Sequence, residues 1–496
     1  MDPNRMRRTK MGQGVPFDII ASFPLELLVQ VVQYLDLTDI VRSQRVSKRW
    51  RTIFSSEPII KPILRETLAF LGLDLKGADL PITNATGYFW WRHGLQCARP
   101  VKKIFLPWPA GLVNLLADVS YHSRRLCFYS FDREDVYMLN LETGEKSIWS
   151  GSESARLTRV AHSDRYLILD GSELSRNERR MILTAWDMHI SRRLVQRFPG
   201  HPYILGNMLY LAKDKLVVSY NLRDSQHWTV DVWDLTSNLV RKVGEFSNLG
   251  LLHVGTDEDV LVAFEVNWKT NPPEVQQTKW NLMTRELLGK KQSLLPLPDH
   301  VRAANDARIV PRSGVYRHTL DHKTVSELIV AVDNAITLYL LLTYDHAVDE
   351  LSARWMNYPP SFYRPGSMVS RTVFPTPNVV YYWDEDARQP AVYDMANSTT
   401  TFPPNYQLDS RMITGRLSQA AWLQHIPKEQ LYRQMLLFGD REVVGFAGLG
   451  GVELWLFNPE FTPNLADVDE GVWTTKPNMS HQPANTCQFR IHSLSD

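Results

Sequence analysis

The chain has few of the residue patterns that assign a protein to a chemical class. Its three cysteines, Cys97, Cys127 and Cys487, lie far apart and form no CxxC pair. That spacing excludes a disulfide framework and a thiolate metal motif, and it fits a reducing compartment. Gly-rich phosphate loops of the Walker and Rossmann types are missing, and so is the Gly-x-Ser-x-Gly nucleophile elbow.

Long apolar runs and excess charge are missing as well. The most apolar stretch, Leu328–Tyr344, contains Asp333 and Asn334, so it predicts two strands around a tight turn rather than a membrane span. The chain has 55 basic and 54 acidic residues, a net charge of +1, and therefore no global field for nucleic acid or membrane. We expect a soluble nuclear or cytoplasmic protein without a cofactor or a nucleic-acid partner.

The first residues are polar and basic, and no signal-peptide core follows them. Residues 1–16 are predicted to be a disordered tail. Its basic residues, Arg5, Arg7, Arg8 and Lys10, fit either a solvated tail or a nuclear signal.

From Phe23 to about Leu73, apolar residues recur at helical spacing. Leu27, Leu28, Val31, Val32 and Leu35 form one broad stripe. Pro24 suits the first turn of a helix, where its missing N–H costs nothing.

Cap residues divide the segment into further helices. Thr38 is predicted to cap a second helix, with Asp39 in its first turn, and Ser47 a third that carries Trp50. Ser56-Glu57-Pro58 starts another.

Three short motifs lie in register in this segment. They are Phe23-Pro24-Leu25-Glu26-Leu27-Leu28, Tyr34-Leu35-Asp36 and Val46-Ser47-Lys48-Arg49-Trp50. With this order and spacing, the segment resembles the F-box family, in which Leu usually stands where Phe23 does.

The resemblance implies binding to a Skp adaptor, which links such modules to a cullin and a RING subunit. The implied contact residues are Pro24, Leu25, Leu27, Leu28, Val31, Val32, Leu35, Ile40, Val46 and Trp50. The alternative is an ordinary helical bundle that packs only on itself. Which residues face the partner and which face the module's own core is left open.

Beyond residue 110 a repeated pattern replaces the helical one. A large apolar residue followed by Asp or Asn recurs seven times, and the first four Asp or Asn positions, 140, 187, 234 and 281, are spaced by 47 residues. The recurring pairs are Leu139-Asn140, Trp186-Asp187, Trp233-Asp234, Trp280-Asn281, Tyr344-Asp345, Tyr393-Asp394 and Phe457-Asn458. A polar turn leading into an apolar strand precedes each pair.

A period near 45 residues with several strands is typical of propeller blades. We predict that each large apolar residue ends a third strand and wedges between neighbouring sheets. The Asp or Asn then begins the turn to the fourth strand. Longer steps later in the chain predict loop insertions at Pro296–Gly314 and Ala347–Pro375.

This region is similar to a degenerate WD-repeat propeller, because only Trp186-Asp187 and Trp233-Asp234 keep the Trp-Asp pair. An F-box ahead of a divergent β-domain resembles F-box proteins common in fungi. The predicted class is a multidomain α+β chain, with an all-α F-box and an all-β propeller of seven blades or eight. The predicted boundaries are 1–16 for the tail, 17–62 for the F-box, 63–110 for a helical or irregular linker packing on the propeller, and 111–496 for the propeller.

Ring closure is open at this stage. The strand-like Val101–Leu106 either pairs with the last blade near Thr486–Ile491 or begins an eighth unit.

Candidate sites outside the F-box are sparse. Five arginines are predicted to surround one blade. If their side chains lie close together, they could bind a phosphorylated or acidic substrate motif. The simpler interpretation is a solvated surface. The five arginines are Arg176, Arg179, Arg180, Arg192 and Arg193. His318 and His322 lack a third ligand, so we expect no metal site. The recurring Asp residues are expected to be turn residues rather than catalytic acids.

The function that the resemblance implies is substrate recognition for a Skp–cullin–F-box ubiquitin ligase, with no catalysis by this chain. The propeller would bind a protein substrate that the sequence does not identify. Two alternatives are a scaffold that binds the adaptor without a cullin and, more remotely, a propeller enzyme.

Overall fold

The computed structural model divides the chain into two compact units, residues 1–94 and residues 95–496. The residues that the structure describes are 22–32, 34–35, 37–71, 73, 84–108, 116–130, 135–150, 155–175, 178–198, 208–212, 214–221, 228–246, 251–254, 260–267, 270, 272–281, 284, 286–295, 309–311, 316–320, 323–332, 336–345, 348–356, 372–376, 378–384, 387–395, 399–409, 411–412, 435–448, 450–465 and 474–475. The predicted tail, residues 1–16, lies outside them.

The first unit is built from helices. The helices described in the chain are α1 (Leu25–Val32), α2 (Leu37–Ser43), α3 (Lys48–Phe54), α4 (Glu57–Phe70) and α5 (Ala85–Gln96). One face of α4 packs against α1 and α3 through Ile59. Another face, with Leu64 and Leu68, packs on Ala85 and Phe89 of α5. Helix α4 continues through the predicted boundary at residue 62, so the hydrophobic core of this unit extends into the segment predicted as a linker.

The cap predictions for these helices had mixed outcomes. Ser47 is confirmed as the N-cap of α3, where its Oγ accepts a hydrogen bond from the Trp50 amide at 3.1 Å. Ser56 is confirmed as the residue that starts α4. Thr38 was wrongly predicted as a cap, because α2 already begins at Leu37. Asp39 does lie in the first turn of α2, where a negative charge is favourable.

The second unit is built from strands, and seven sheets are formed by the described residues. Sheets 1 to 3 contain β2 (Leu116–His122), β3 (Arg125–Ser130), β4 (Asp135–Asn140), β5 (Lys146–Ser150); β6 (Ala155–His162), β7 (Tyr166–Ser175), β8 (Glu178–Asp187), β9 (Arg192–Phe198); and β10 (Met208–Ala212), β11 (Lys215–Asn221), β12 (Trp228–Asp234), β13 (Leu239–Phe246).

Sheets 4 to 7 complete the set. They contain β14 (Leu251–Val254), β15 (Val260–Asn267), β16 (Glu274–Asn281), β17 (Leu287–Leu294); β18 (Ile309–Pro311), β19 (Tyr316–Leu320), β20 (Lys323–Val332), β21 (Ile336–Asp345), β22 (Glu350–Met356); β23 (Thr372–Thr376), β24 (Val379–Asp384), β25 (Gln389–Asp394), β26 (Thr399–Thr401); and β27 (Leu436–Gly439), β28 (Val443–Ala447), β29 (Gly451–Leu456) with β1 (Lys102–Pro107).

Neighbouring sheets stack on one another. Buried apolar residues join sheet 1 to sheet 2, sheet 2 to sheet 3, sheet 4 to sheet 5, and sheet 7 back to sheet 1. First strands of successive sheets also meet, as β10 does with β14 and β23 with β27. A closed ring of antiparallel sheets with their first strands innermost is a β-propeller. The predicted fold class is confirmed, while a blade number for the entire chain stays a prediction.

The ring is closed by a strand from the start of the unit. β1 pairs antiparallel with β29, from Lys102 opposite Leu456 to Pro107 opposite Gly451, and so becomes the outer strand of sheet 7. Of the two alternatives for Val101–Leu106, ring closure is the one observed. The strand observed to pair with it is β29, and the predicted partner near Thr486–Ile491 lies outside the described residues. β30 (Thr474–Thr475) adds a parallel strand to β5.

The repeat prediction is confirmed in its physical details. Trp186 ends the third strand of sheet 2, is 1% exposed, and donates its indole N–H to the Ser150 carbonyl of sheet 1 at 3.0 Å. The side chains of Asn140 and Asp234 begin turns as expected. Asn140 Oδ1 accepts from the Glu142 and Thr143 amides at 2.9 and 3.2 Å. Asp234 Oδ1 accepts in the same way from the Thr236 and Ser237 amides at 3.0 and 2.8 Å.

Two strand predictions had opposite outcomes. The stretch Leu328–Tyr344 does form two strands, since β20 and β21 pair antiparallel. The predicted insertions, Pro296–Gly314 and Ala347–Pro375, were wrong in part. The first insertion contains β18, and the second contains β22 and most of β23. Strands as short as three residues fit within segments that were predicted to be loops.

Candidate adaptor-binding site

The ten residues predicted to contact an adaptor divide into distinct groups. Five have exposed side chains: Pro24, Leu25, Leu27, Val31 and Val46. Leu25 is 42% exposed, Leu27 46%, Val31 38% and Val46 61%. Leu27 and Val31 lie one turn apart on α1 and form an exposed apolar patch that water hydrates unfavourably.

Three of the ten are core residues of the helical unit. Leu28, Val32 and Ile40 are 3%, 4% and 2% exposed, and they pack with Phe54 and Ile59. The prediction that assigned them to the adaptor therefore needs correction, because α1 turns Leu28 and Val32 inward and α2 contributes Ile40 to the same core. The other two, Leu35 and Trp50, are partly buried against the same core.

Helix α1 carries both stripes at once. Leu27 and Val31 lie one turn apart on the exposed side, and Leu28 and Val32 lie one turn apart on the buried side. The buried stripe fixes the rotation of the helix, and that rotation aims the exposed stripe away from the core. The same run of leucines and valines therefore provides both core residues and exposed residues.

Two exposed aromatic residues were missed as candidate contacts. Phe23 is 40% exposed and Tyr34 is 89% exposed. Both belong to the F-box-like motif, so motif membership was the signal that would have found them. Large aromatic side chains are frequent anchors of protein interfaces.

Helix α3 contributes Trp50 and Phe54 to the core on which α1 packs. The Trp50 and Phe54 rings lie 5.8 Å apart. The Gln44 side-chain amide donates to the Phe54 carbonyl at 3.4 Å, where α3 ends. Val46 precedes the Ser47 cap and projects from the α2–α3 connection. The exposed patch is therefore held by a packed core rather than by a loose segment.

The predicted arginine cluster is not a single site in the structure. Arg179 and Arg180 lie at the start of β8, whereas Arg192 and Arg193 begin β9 and pair with Asp187 and Trp186 at the end of β8. At about 3.3 Å per residue, the two ends of this strand are more than about 20 Å apart. Arg176 lies outside the described residues. The arginines are close in sequence, but the two pairs lie at opposite ends of the β8–β9 hairpin.

A buried, hydrogen-bonded histidine lies between sheets 1 and 2. Ser120 Oγ and His162 Nδ1 are 3.1 Å apart, and His162 Nε2 lies 3.1 Å from the Arg125 carbonyl oxygen. A carbonyl only accepts, so Nε2 carries the proton and Ser120 donates to Nδ1. Burial lowers the pKa of His162 to about 3. The imidazole is therefore neutral and a weak base near pH 7, and the contact ties two sheets together.

Metal and membrane features were also sought in the described part of the chain. Among those residues, no group of three or more His, Cys, Asp and Glu side chains is placed to hold a metal ion. His318 lies in β19, and His322 is outside the described residues. None of the described helices has the length and hydropathy needed to cross a bilayer.

The F-box-like family matches residues 20–61 of this chain. The match covers α1, α2 and α3 and the start of α4, and it includes both the exposed patch and the core beneath it. A comparison with curated proteins gave no match.

Several solved propeller structures are similar to the chain at low identity. The propeller domain of the Trilobed protease from Pyrococcus furiosus is 11% identical over 63% of this chain and 84% of that one, with a TM-score of 0.35. Virginiamycin B lyase from Staphylococcus aureus is 10% identical over 72% and 99%, with a TM-score of 0.39. The Dos1 propeller is 12% identical over 73% and 81%, with a TM-score of 0.35. At such TM-scores these similarities add nothing to the sheet order described above.

The two parts define a class. The chain is an F-box protein with a C-terminal β-propeller. An F-box module indicates binding to a Skp-type adaptor, and a propeller is a common platform for protein interactions.

Proposed function

We propose that this protein is the substrate-recognition subunit of a Skp–cullin–F-box ubiquitin ligase. The exposed patch on the F-box would bind the adaptor, and the adaptor would bring the cullin and the RING subunit. The propeller would hold the substrate protein. In this proposal the chain supplies no catalytic group, and its contribution to ubiquitin transfer is proximity.

The observation that carries the proposal is the exposed apolar patch within the family match. Leu27 and Val31 lie one turn apart on the exposed side of a single short helix, and Leu25 is exposed at its first residue. Contiguous exposed apolar surface on a soluble protein marks an interaction site. A partner that covers the patch would recover about 25 cal/mol for each Å² of apolar area removed from water.

The test uses exposed residues, so that the fold is left intact. In the double variant Leu27→Asp with Val31→Asp, two carboxylates stand on the patch, and their burial by a partner would be costly. We expect co-purification with the adaptor to fall at least about tenfold, which corresponds to about 1.4 kcal/mol. Thermal unfolding of both units should be unchanged.

Leu239→Asp is the matched control. Leu239 is 49% exposed, close to the 46% of Leu27, and lies at the start of β13 in the propeller unit. It should leave adaptor binding unchanged. Adaptor binding that survives in the folded Leu27/Val31 variant would overturn the proposal.

Cullin recruitment separates the receptor from a scaffold. The receptor proposal expects cullin and ubiquitin conjugates in the purified complex, both lost with the Leu27/Val31 variant. Adaptor without cullin would instead assign a non-degradative scaffold. In a reconstituted reaction, conjugation should require the ubiquitin-conjugating enzyme and the RING subunit; conjugation by this chain alone would contradict its non-catalytic role.

The expected location is the nucleus or the cytoplasm. Imaging of a tagged full-length chain tests it, and exclusive localisation to another compartment would contradict it.

A further inference from the structure

The outer strand of sheet 4 differs from a covered outer strand in the same fold. Seven of the eight residues of β17 are exposed, and Gly289 is the half-buried exception. Leu287 and Leu288 are each 51% exposed, and Leu294 is 63% exposed. The outer strand of sheet 1, β5, has no exposed residue. A long, exposed edge with three leucines is a surface that proteins usually shield from pairing.

The fold itself shows how such an edge is covered. β30 lies along β5 as a parallel strand, with Thr474 opposite Ser147 and Thr475 opposite Ile148. Among the described strands, β17 pairs with β16 alone. The outer edge of a sheet in this propeller is therefore able to accept an additional strand, and in the described part of the chain the edge of β17 has none.

The positive charge of β17 favours acidic residues on a strand that pairs with it. Lys290 and Lys291 are adjacent and exposed, and the strand contains no acidic residue. Successive side chains of a strand project to opposite faces. One lysine therefore lies on each face of the sheet, so a single carboxylate on a partner meets only one of them. Two adjacent acidic residues on an extended partner would meet both.

The apolar residues of β17 set the flanks. Leu287 lies opposite Trp280, and Lys290 lies opposite Thr278 two positions away on β16, so Leu287 and Lys290 share one face of the sheet. Leu294, opposite Glu274, lies on that face as well, and Leu288 is the extra residue of a β-bulge. Beside Gly289, on the same face as Lys291, no atom lies within 4 Å of the position that a Cβ would occupy. This opening leaves room for a partner side chain on that face.

We infer that the edge of β17 is a docking site for an extended protein segment with two adjacent acidic residues flanked by aliphatic ones. The segment adds as a further strand of sheet 4. Main-chain hydrogen bonds provide affinity, and the paired lysines and the leucines provide register. This inference does not depend on adaptor binding, because β17 belongs to the propeller unit.

The experiment uses the full chain and two fluorescent peptides. One has the sequence Leu-Val-Thr-Glu-Glu-Thr-Thr-Leu, and the other replaces both glutamates by lysines. Fluorescence anisotropy should show binding of the acidic peptide only. The double variant Lys290→Glu with Lys291→Glu should weaken that binding at least about tenfold and gain binding of the lysine peptide.

Lys102→Glu is the matched control. Lys102 is an exposed lysine on β1, the outer strand of sheet 7, and its replacement should leave peptide binding unchanged. Hydrogen exchange should slow at the amides of residues 287–294 when the acidic peptide binds.

Three results would overturn the inference. They are acidic-peptide binding that does not respond to the charge reversal, binding without protection of β17, and equal displacement by a single-stranded nucleic acid, which would indicate a general polyanion surface. Adaptor co-purification measured on the same variants should stay unchanged, which separates a failure here from a failure of the proposed ligase role.

Discussion

The helical unit and the propeller use their motif residues in opposite ways. In the propeller, the recurring aromatic–Asp pairs are structural: Trp186 and Trp233 are at most 1% exposed, and Asp234 closes a turn. In the helical unit, the motif occurs once and leaves Leu27 and Val46 about half exposed. A motif that repeats in successive sheets indicates a structural role, because each sheet must pack against its neighbours in the same way. A motif that occurs once and leaves apolar residues exposed indicates a surface that binds a partner.

The largest expected effect comes from truncating one of the buried tryptophans between two sheets. Trp186→Ala should cost the propeller about 3–5 kcal/mol, the range for emptying a buried aromatic site, because its ring also packs 5.4 Å from that of Trp149. Chemical denaturation of the full chain measures the loss, and adaptor capture should persist. Trp280 occupies the same repeat position but is half-buried, so Trp280→Ala should cost clearly less. Equal losses for both variants would refute burial as the cause.

The neighbouring leucines of α1 provide the second contrast. Leu28→Ala should destabilise the helical unit by about 2–5 kcal/mol, as buried leucines do. Leu27→Ala should change its stability by less than about 0.5 kcal/mol, as surface substitutions do, and yet weaken adaptor binding. Thermal unfolding and adaptor titration on both variants separate the two roles. A reversed pattern would show that the stripes are assigned to the wrong sides.

Acidification should affect the propeller through His162. Burial holds the pKa of His162 near 3, against about 6.5 in the unfolded chain, so the unfolded state binds the extra proton below pH 6.5. Stability is therefore present near neutrality and is lost as pH falls, by about 2 kcal/mol at pH 5 from this group.

His162→Gln should remove that part of the pH dependence, measured as the difference between the two unfolding profiles. The difference is needed because burial raises the pKa of Asp440 to about 6, which acts in the opposite direction. Parallel profiles for the two proteins would contradict the role of His162.

The smallest expected effect concerns a turn. Asp234→Ala removes the acceptor for two backbone amides and should cost about 1 kcal/mol. Asp234→Asn keeps an acceptor oxygen, as Asn140 does at the same repeat position, and should be close to neutral. Denaturation midpoints compare the two. If Asn is as destabilising as Ala, charge rather than the turn geometry is the relevant property.

Sequence reasoning succeeded where the determinants are local. The Ser47 cap, turn residues such as Asn140 and Asp234, and the paired strands β20 and β21 depend on a few neighbouring residues, and these were predicted. It failed where chain segments meet from far apart. The partner of β1 is more than 300 residues away in sequence, and the arginines of β8 and β9 are separated by the length of a hairpin.

By itself, the sequence determined the two-part organisation, the helical module with its F-box-like motif, and the repeated strand units. Periodicity and cap chemistry are properties of contiguous residues, so they are visible without a structure. Only the tertiary structure decided which side of α1 is exposed, which edge closes the ring, and how exposed each described outer strand is. Those properties depend on what packs against each surface, and Leu27 and Leu28 have the same side chain but different neighbours.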